Sequence, residues 1–124
     1  MSQPTILVVE DDTDSQSVLC WAVESRGATC LLAGSVAEAN QQITATEGMV
    51  NGLVLDFHLP DGDGMQLGLQ LKRQIDRPGV PLIGVTAYYT PELRNQALAA
   101  GYDACFAKPL PMDEFIATLN RLVK

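Results

Sequence analysis

No stretch of this chain stays apolar for the roughly 20 residues that a bilayer-crossing helix needs. The N-terminal MSQPTILVVEDD has no basic flank and turns acidic too early for a secretory leader. Both shortages predict a soluble, cytoplasmic protein that does not engage a membrane. Basic residues are few, eight against fifteen acidic ones, for a net charge of −7. That balance argues against a basic face for direct nucleic-acid binding. Cysteine is scarce too: Cys20, Cys30 and Cys105 make no CxxC pair and no Cys/His cluster. They read as three reduced thiols serving as small core hydrophobes. The single histidine, His58, has no cysteine beside it, which argues against zinc.

What is present is an apolar fraction of 47% in 124 residues, enough for one core without staples. A single domain over residues 1–124 is expected. Apolar runs alternate with helical patterns along the chain. TILVVE (5–10) is β-branched and continuously apolar from Ile6 to Val9, the pattern of a strand covered on both faces. TCLLA (29–33), GLVLD (52–56), PLIGVT (81–86) and ACFA (104–107) repeat the theme. Between them lie helical segments. Val18 and Ala22, and Leu19 and Val23, share a side at i, i+4 before a stop at Gly27. Ser35 and Glu38 are spaced as a capping box, with Gly48 ending that segment. A third helix is expected from near Met65, burying Leu67 and Leu71. Thr90 and Pro91 open a fourth that ends at Gly101, and Phe115, Leu119 and Leu122 line a fifth. Five β-α repeats predict an α/β fold: one doubly wound parallel sheet with helices on both faces. In such sheets ligands bind beyond the carboxyl ends of the strands.

The strand ends are therefore the place to look. The first ends in Glu10-Asp11-Asp12, the third in Asp56, the fourth in Thr86 and the fifth in Lys108-Pro109. Carboxylates gathered within a few ångströms repel one another and raise each other's pKa, and a cation relieves this. An all-oxygen site is hard and suits Mg²⁺ or Mn²⁺. With an ammonium and a hydroxyl beside it, such a rim fits a phosphoryl group, and a carboxylate can itself be the nucleophile that forms an acyl phosphate. Taken singly, each residue has a duller account. Acids after strands are frequent in turns and caps, Asp61 and Asp63 in PDGDG read as turn residues, and Lys108 alone would be a solvated lysine. Their coincidence at four strand ends favours a site.

These residues resemble the receiver domain of two-component response regulators. The likeness runs from ILVVEDD to the last helix and rests on four segments in order: the acidic pair after the first strand, LVLDFHLPDGDG, GVTA and AKP. The resemblance implies a flavodoxin-like, five-stranded parallel sheet in the order 2-1-3-4-5 with five flanking helices. It implies that Asp56 is the phosphoacceptor, taking a phosphoryl group from a phosphohistidine on a sensor histidine kinase or phosphotransfer protein. It implies Mg²⁺ on Asp11, Asp56 and the main-chain carbonyl of His58, with Glu10 acting mainly through water. It further implies Thr86 and Lys108 on the phosphoryl oxygens, Asp12 as a third acid of the loop, and a cis Lys108-Pro109 peptide. A downstream protein target and a possible homodimer are expected partners.

Two departures are visible. Three residues before Lys108, where the family has an aromatic residue, this chain has Cys105, with Phe106 next to it on the opposite face of a strand. The resemblance also makes His58, two residues after Asp56, a tuner of acyl-phosphate lifetime. Two other readings compete. A Mg²⁺-dependent phosphohydrolase using an aspartyl-phosphate would need a second aspartate where His58 stands, and no cap insertion is available to select a small substrate. A docking module that takes no phosphate would not need all five rim residues. The expected role is a signalling domain rather than an enzyme.

Overall fold

The computed structural model describes residues 3–75 and 77–123. The elements in chain order are β1 (Thr5–Val9), α1 (Thr13–Ser25), β2 (Thr29–Ala33), α2 (Val36–Ala45), β3 (Gly52–Asp56), β4 (His58–Leu59), β5 (Gly62–Asp63), α3 (Gly64–Gln74), β6 (Leu82–Thr86), α4 (Pro91–Ala100), β7 (Ala104–Ala107) and α5 (Met112–Leu122). Five strands form one parallel sheet in the order β2-β1-β3-β6-β7. This is the predicted order 2-1-3-4-5 counted over the long strands. The sequence reading missed the small antiparallel pair β4-β5, in which His58 faces Asp63 and Leu59 faces Gly62. At two residues each, these strands are too short to show periodicity.

Alternate side chains of each strand feed two cores. Leu7, Val9, Leu53, Leu55 and Leu82 meet Ala39, Ile43, Leu67, Leu71 and Ala97 from α2, α3 and α4. Ile6, Val8, Val54, Ile83 and Val85 meet Leu19, Ala22, Val23, Phe115 and Leu119 from α1 and α5. Burying a side chain of this kind stabilises the fold by about 1.5–3 kcal/mol, so the continuous hydrophobicity of the strands has a direct cause. The order in which strands are added reverses at β1, which lies between β2 on one side and β3 on the other, and both β1 and β3 run to the same rim.

The caps explain where the helices start. Asp12 accepts the Ser15 N–H, Ser35 that of Glu38, and Thr90 that of Leu93. The Glu38 carboxylate reaches back to the Gly34 N–H, one residue before the cap. Asp63, read as a turn residue, is the N-cap of α3 and accepts from Met65. Gly27 and Gly101 end α1 and α4 at φ of 85° and 125°, values a side chain would oppose. Val18 departs from expectation. It lies 42% exposed while Leu19, Ala22 and Val23 are buried, because it sits about 100° around the helix from Leu19.

The cysteines also depart from expectation. Cys20 on α1 and Cys30 on β2 form a disulfide, with Cα atoms 5.4 Å apart. The packing of α1 on β2 brings the pair together, and spacing along the chain carries no trace of that packing. Cys105 is the buried free thiol that the sequence suggested. Among the described residues, no helix is long and apolar enough to cross a membrane.

Candidate functional site

The rim at the carboxyl ends of β1, β3, β6 and β7 collects the predicted polar residues. Glu10 follows β1 directly. Its N–H donates to Ala33 O (2.9 Å), which continues the β1-β2 ladder and fixes where the acidic loop departs. Asp56 is the last residue of β3, paired in register with Val85, and Thr86 is the next residue of β6. Lys108 follows β7, and its N–H donates to Thr86 O at 2.9 Å. The Lys108-Pro109 peptide is cis.

These anchors bring the side chains together. One carboxylate oxygen each from Glu10, Asp11 and Asp56 lie within 4.8 Å of one another. The Lys108 ammonium donates to Asp56 Oδ2 at 3.2 Å and to Glu10 Oε1. The His58 N–H donates to Asp56 Oδ1 at 3.0 Å, so the turn after β3 orients the acceptor candidate. Glu10 and Thr86 are fully buried, Asp56 nearly so, and Asp11 is exposed. The rim thus has a closed floor and one acid open to solvent. The Thr86 hydroxyl oxygen accepts the Tyr88 N–H at 3.0 Å. The His58 side chain is exposed, and its ring lies 4.6 Å from that of Tyr88. Asp12 stands apart from the cluster, because its carboxylate is engaged in capping α1.

Electrostatics follow from the burial. Loss of solvent pushes the Glu10 carboxyl up to about 7, helped by its hydrogen bond with Asp56 and opposed by Lys108. Burial alone would lower the Lys108 pKa, but the carboxylates of Glu10 and Asp56 outweigh it and leave that pKa raised. Among the described residues one ammonium therefore faces the three-carboxyl cluster, which leaves it short of positive charge. Three converging oxygen donors with no nitrogen or sulfur ligand suit a hard divalent cation, so the residues present fit Mg²⁺.

The sequence reading missed several neighbours. The Gln16 amide donates to Glu10 O at 2.7 Å and steadies the acidic loop from α1. Asp61 accepts from the Val36 and Ala37 N–H groups, tying the turn after Asp56 to the start of α2. Phe57 and Tyr102 stack edge to face at 5.1 Å under the rim. Glycine inside a strand often marks a close approach, and Gly84 in β6 was the available signal for that pair. Cys105 lies on the same side of the sheet as Tyr102, while Phe106 packs against Phe115 on the other.

Comparison with known proteins bears on this arrangement. Residues 6–120 match the response regulator receiver domain family. The phosphate regulon transcriptional regulatory protein PhoB of Pseudomonas aeruginosa is 29% identical over 120 residues, covering 97% of this chain and 52% of that protein. The sensor protein TorS of Escherichia coli is 31% identical over 108 residues, 87% of this chain and 12% of its own length. The chain thus spans about half the length of the PhoB proteins it matches. Among solved structures, the receiver domain of the Francisella response regulator 1452 superposes with a TM-score of 0.83 at 28% identity, covering 97% of this chain and 96% of that one. A two-component response regulator from Clostridium difficile gives 0.84 at 25% identity, covering 97% and 95%. Family, fold and an acidic pocket resembling the family's phosphoacceptor site thus coincide, and this chain belongs to the receiver domains of two-component response regulators.

Proposed function

We propose that residues 1–124 act as one phosphoacceptor receiver domain, in the cytoplasm, with Asp56 as the acceptor. A carboxylate oxygen of Asp56 attacks the phosphorus of a phosphohistidine on a sensor histidine kinase or phosphotransfer protein. The new O–P bond forms as the P–N bond breaks, and the histidine nitrogen leaves with the electron pair. Water later attacks the same phosphorus and returns Asp56 and inorganic phosphate. Self-phosphorylation and self-dephosphorylation are the only chemistry this reading assigns to the chain.

Asp11, Asp56 and the His58 main-chain carbonyl would hold Mg²⁺, with Glu10 acting mainly through water, and Mn²⁺ could replace it. Bound there, the ion would supply positive charge to the phosphoryl oxygens. Lys108 supplies a further point charge at Asp56, and Thr86 a hydroxyl at the neighbouring strand end. The phosphoryl group changes the surface offered to a downstream protein. The reading is carried by one observation: the Lys108 ammonium, 52 positions along the chain, lies 3.2 Å from Asp56 inside a three-carboxylate cluster.

The test is incubation of the chain with acetyl phosphate and Mg²⁺, followed by intact-mass measurement. A base-labile gain of one phosphoryl group, absent from Asp56→Asn and abolished by EDTA, is the expected result. Failure to label with acetyl phosphate, or with a panel of phosphorylated histidine kinases, would leave a docking module and refute the reading.

A further inference from the structure

Tyr102 sits at the corner between α4 and β7, at the opposite end of β7 from Lys108. Its N–H closes α4 on Ala97 O at 2.9 Å, and the next residue joins β6, with Asp103 N–H on Leu82 O and the Leu82 N–H on Asp103 Oδ2, both at 2.8 Å. The backbone of Tyr102 is therefore fixed. Its side chain is buried and runs inward to the first turn of α3. There the hydroxyl donates to Met65 O at 2.9 Å and lies 3.2 Å from Gly64 O.

That turn abuts the acceptor. The Gly64 N–H donates to Phe57 O at 3.1 Å, and Gly64 lies so close to Asp56 that a Cβ there would fall 1.7 Å from Asp56 O. One residue on, the His58 N–H holds Asp56 Oδ1. An unbroken series of hydrogen bonds and backbone contacts thus runs from the Tyr102 hydroxyl through Gly64, Phe57 and His58 to the Asp56 carboxylate. A second connection runs through the rings, because Phe57 packs edge to face on Tyr102.

Two glycines make room for this pair. A Cβ on Gly84, in the middle of β6, would meet the Phe57 ring at 2.2 Å. One on Gly68, in the middle of α3, would meet the Tyr102 hydroxyl at 2.3 Å. Glycine is unfavourable in helix and strand interiors, so its presence at both places suits the two aromatic side chains. Cys105, in the same layer, is too small to reach the rim.

We propose that Tyr102 is a positioning residue for the acceptor turn. Its hydroxyl fixes the first turn of α3 and thereby the placement of Asp56 and the His58 carbonyl around a divalent cation. This rests on the phosphoacceptor reading above. It goes further in naming an α4-β7 residue, outside the rim, that sets the geometry of metal binding.

The test measures Mn²⁺ affinity by electron paramagnetic resonance, at a temperature where circular dichroism shows every variant folded. Wild type is compared with Tyr102→Phe, Gly68→Ala, the double variant, and Cys105→Ala as a buried control. Tyr102→Phe removes only the hydroxyl. Gly68→Ala keeps it but displaces it. Each is expected to weaken Mn²⁺ binding by about tenfold, the scale seen when groups supporting metal ligands are removed, while Cys105→Ala leaves it unchanged. The double variant should regain part of the thermal stability lost in Gly68→Ala, because the colliding oxygen is gone while Leu82 and Leu55 stay close, without regaining Mn²⁺ affinity. Wild-type affinity in Tyr102→Phe and Gly68→Ala, or affinity that merely follows stability across the series, overturns the proposal. Wild-type protein that neither binds Mn²⁺ nor labels at Asp56 would instead refute the phosphoacceptor reading.

Discussion

Stability in the absence of divalent ions should fall as pH rises through neutrality, and Glu10 should be the cause. Burial and the neighbouring Asp56 raise its carboxyl from 4.5 to about 7 in the fold. A carboxyl with a raised folded pKa favours the native state in its protonated form. The stabilisation is complete below about 4.5 and is lost as pH climbs toward 7. The difference of about 2.5 pH units corresponds to about 3 kcal/mol between the two ends of the window. Other shifted groups titrate outside it. Asp12 and Asp61 lie below 3.8, held down by the backbone N–H groups they accept from, and Lys108 lies above 10.5. Glu10→Gln preserves the shape and the hydrogen bond to Lys108 but removes the proton equilibrium. Urea unfolding in EDTA from pH 5 to 8.5 should therefore show wild type losing stability relative to Glu10→Gln. Added Mg²⁺ should reverse the trend, since it binds better as Glu10 ionises and stabilises the fold by mass action. A wild-type-minus-variant difference that is flat across this window, or that rises with pH in EDTA, would refute the reasoning.

His58→Ala should alter the lifetime of the acyl phosphate more than it alters Mg²⁺ affinity, because the expected metal ligand is the main-chain carbonyl while the ring lies free against Tyr88. Decay of phosphorylated protein measured by intact mass checks this, and an unchanged lifetime would count against it. Replacing Cys20 and Cys30 together by serine should cost about 3 kcal/mol in urea unfolding, the loop-closure entropy expected for a separation of 10 residues. Thiol titration of the unfolded, unreduced wild type should then find Cys105 alone, and three free thiols would contradict the bond.

How much of this was legible in the sequence depended on whether a feature was local. The three central strands were legible because β1, β3 and β6 are buried on both faces and are apolar at nearly every position. The rim was legible because a parallel sheet sends all its strand ends to one side, so the polar residues following apolar runs had to meet. Contacts set by helix packing were not legible. The Cys20–Cys30 bond depends on how α1 lies over β2. Asp61 looked like a turn residue because its partners, Val36 and Ala37, are more than twenty positions upstream. Tyr102 reaches Gly64 across 38 positions, and the mid-strand Gly84 and mid-helix Gly68 were the hints of crowding in that layer.

The same rigidity that makes the rim predictable also limits how the chain can respond to charge arriving there. The floor is closed by Glu10 and Thr86, and the main chain around it is tied to β2 by a hydrogen bond from Glu10 and to β6 by hydrogen bonds from Phe57 and Lys108. A phosphoryl group would bring close to two further negative charges into a cluster where, among the described residues, a single ammonium already faces three carboxyl groups. The strands cannot move apart to dilute that charge without opening both cores. What can adjust is the acceptor turn, which is held by the Asp61 bonds to α2 and by the Tyr102 hydroxyl at α3. On the phosphoacceptor reading, α2, α3 and the α4-β7 corner are therefore where a change at Asp56 should first be felt. Cys105 offers no aromatic ring to carry the change along β7, and Tyr102, three positions earlier, is the aromatic residue whose hydroxyl touches the first turn of α3.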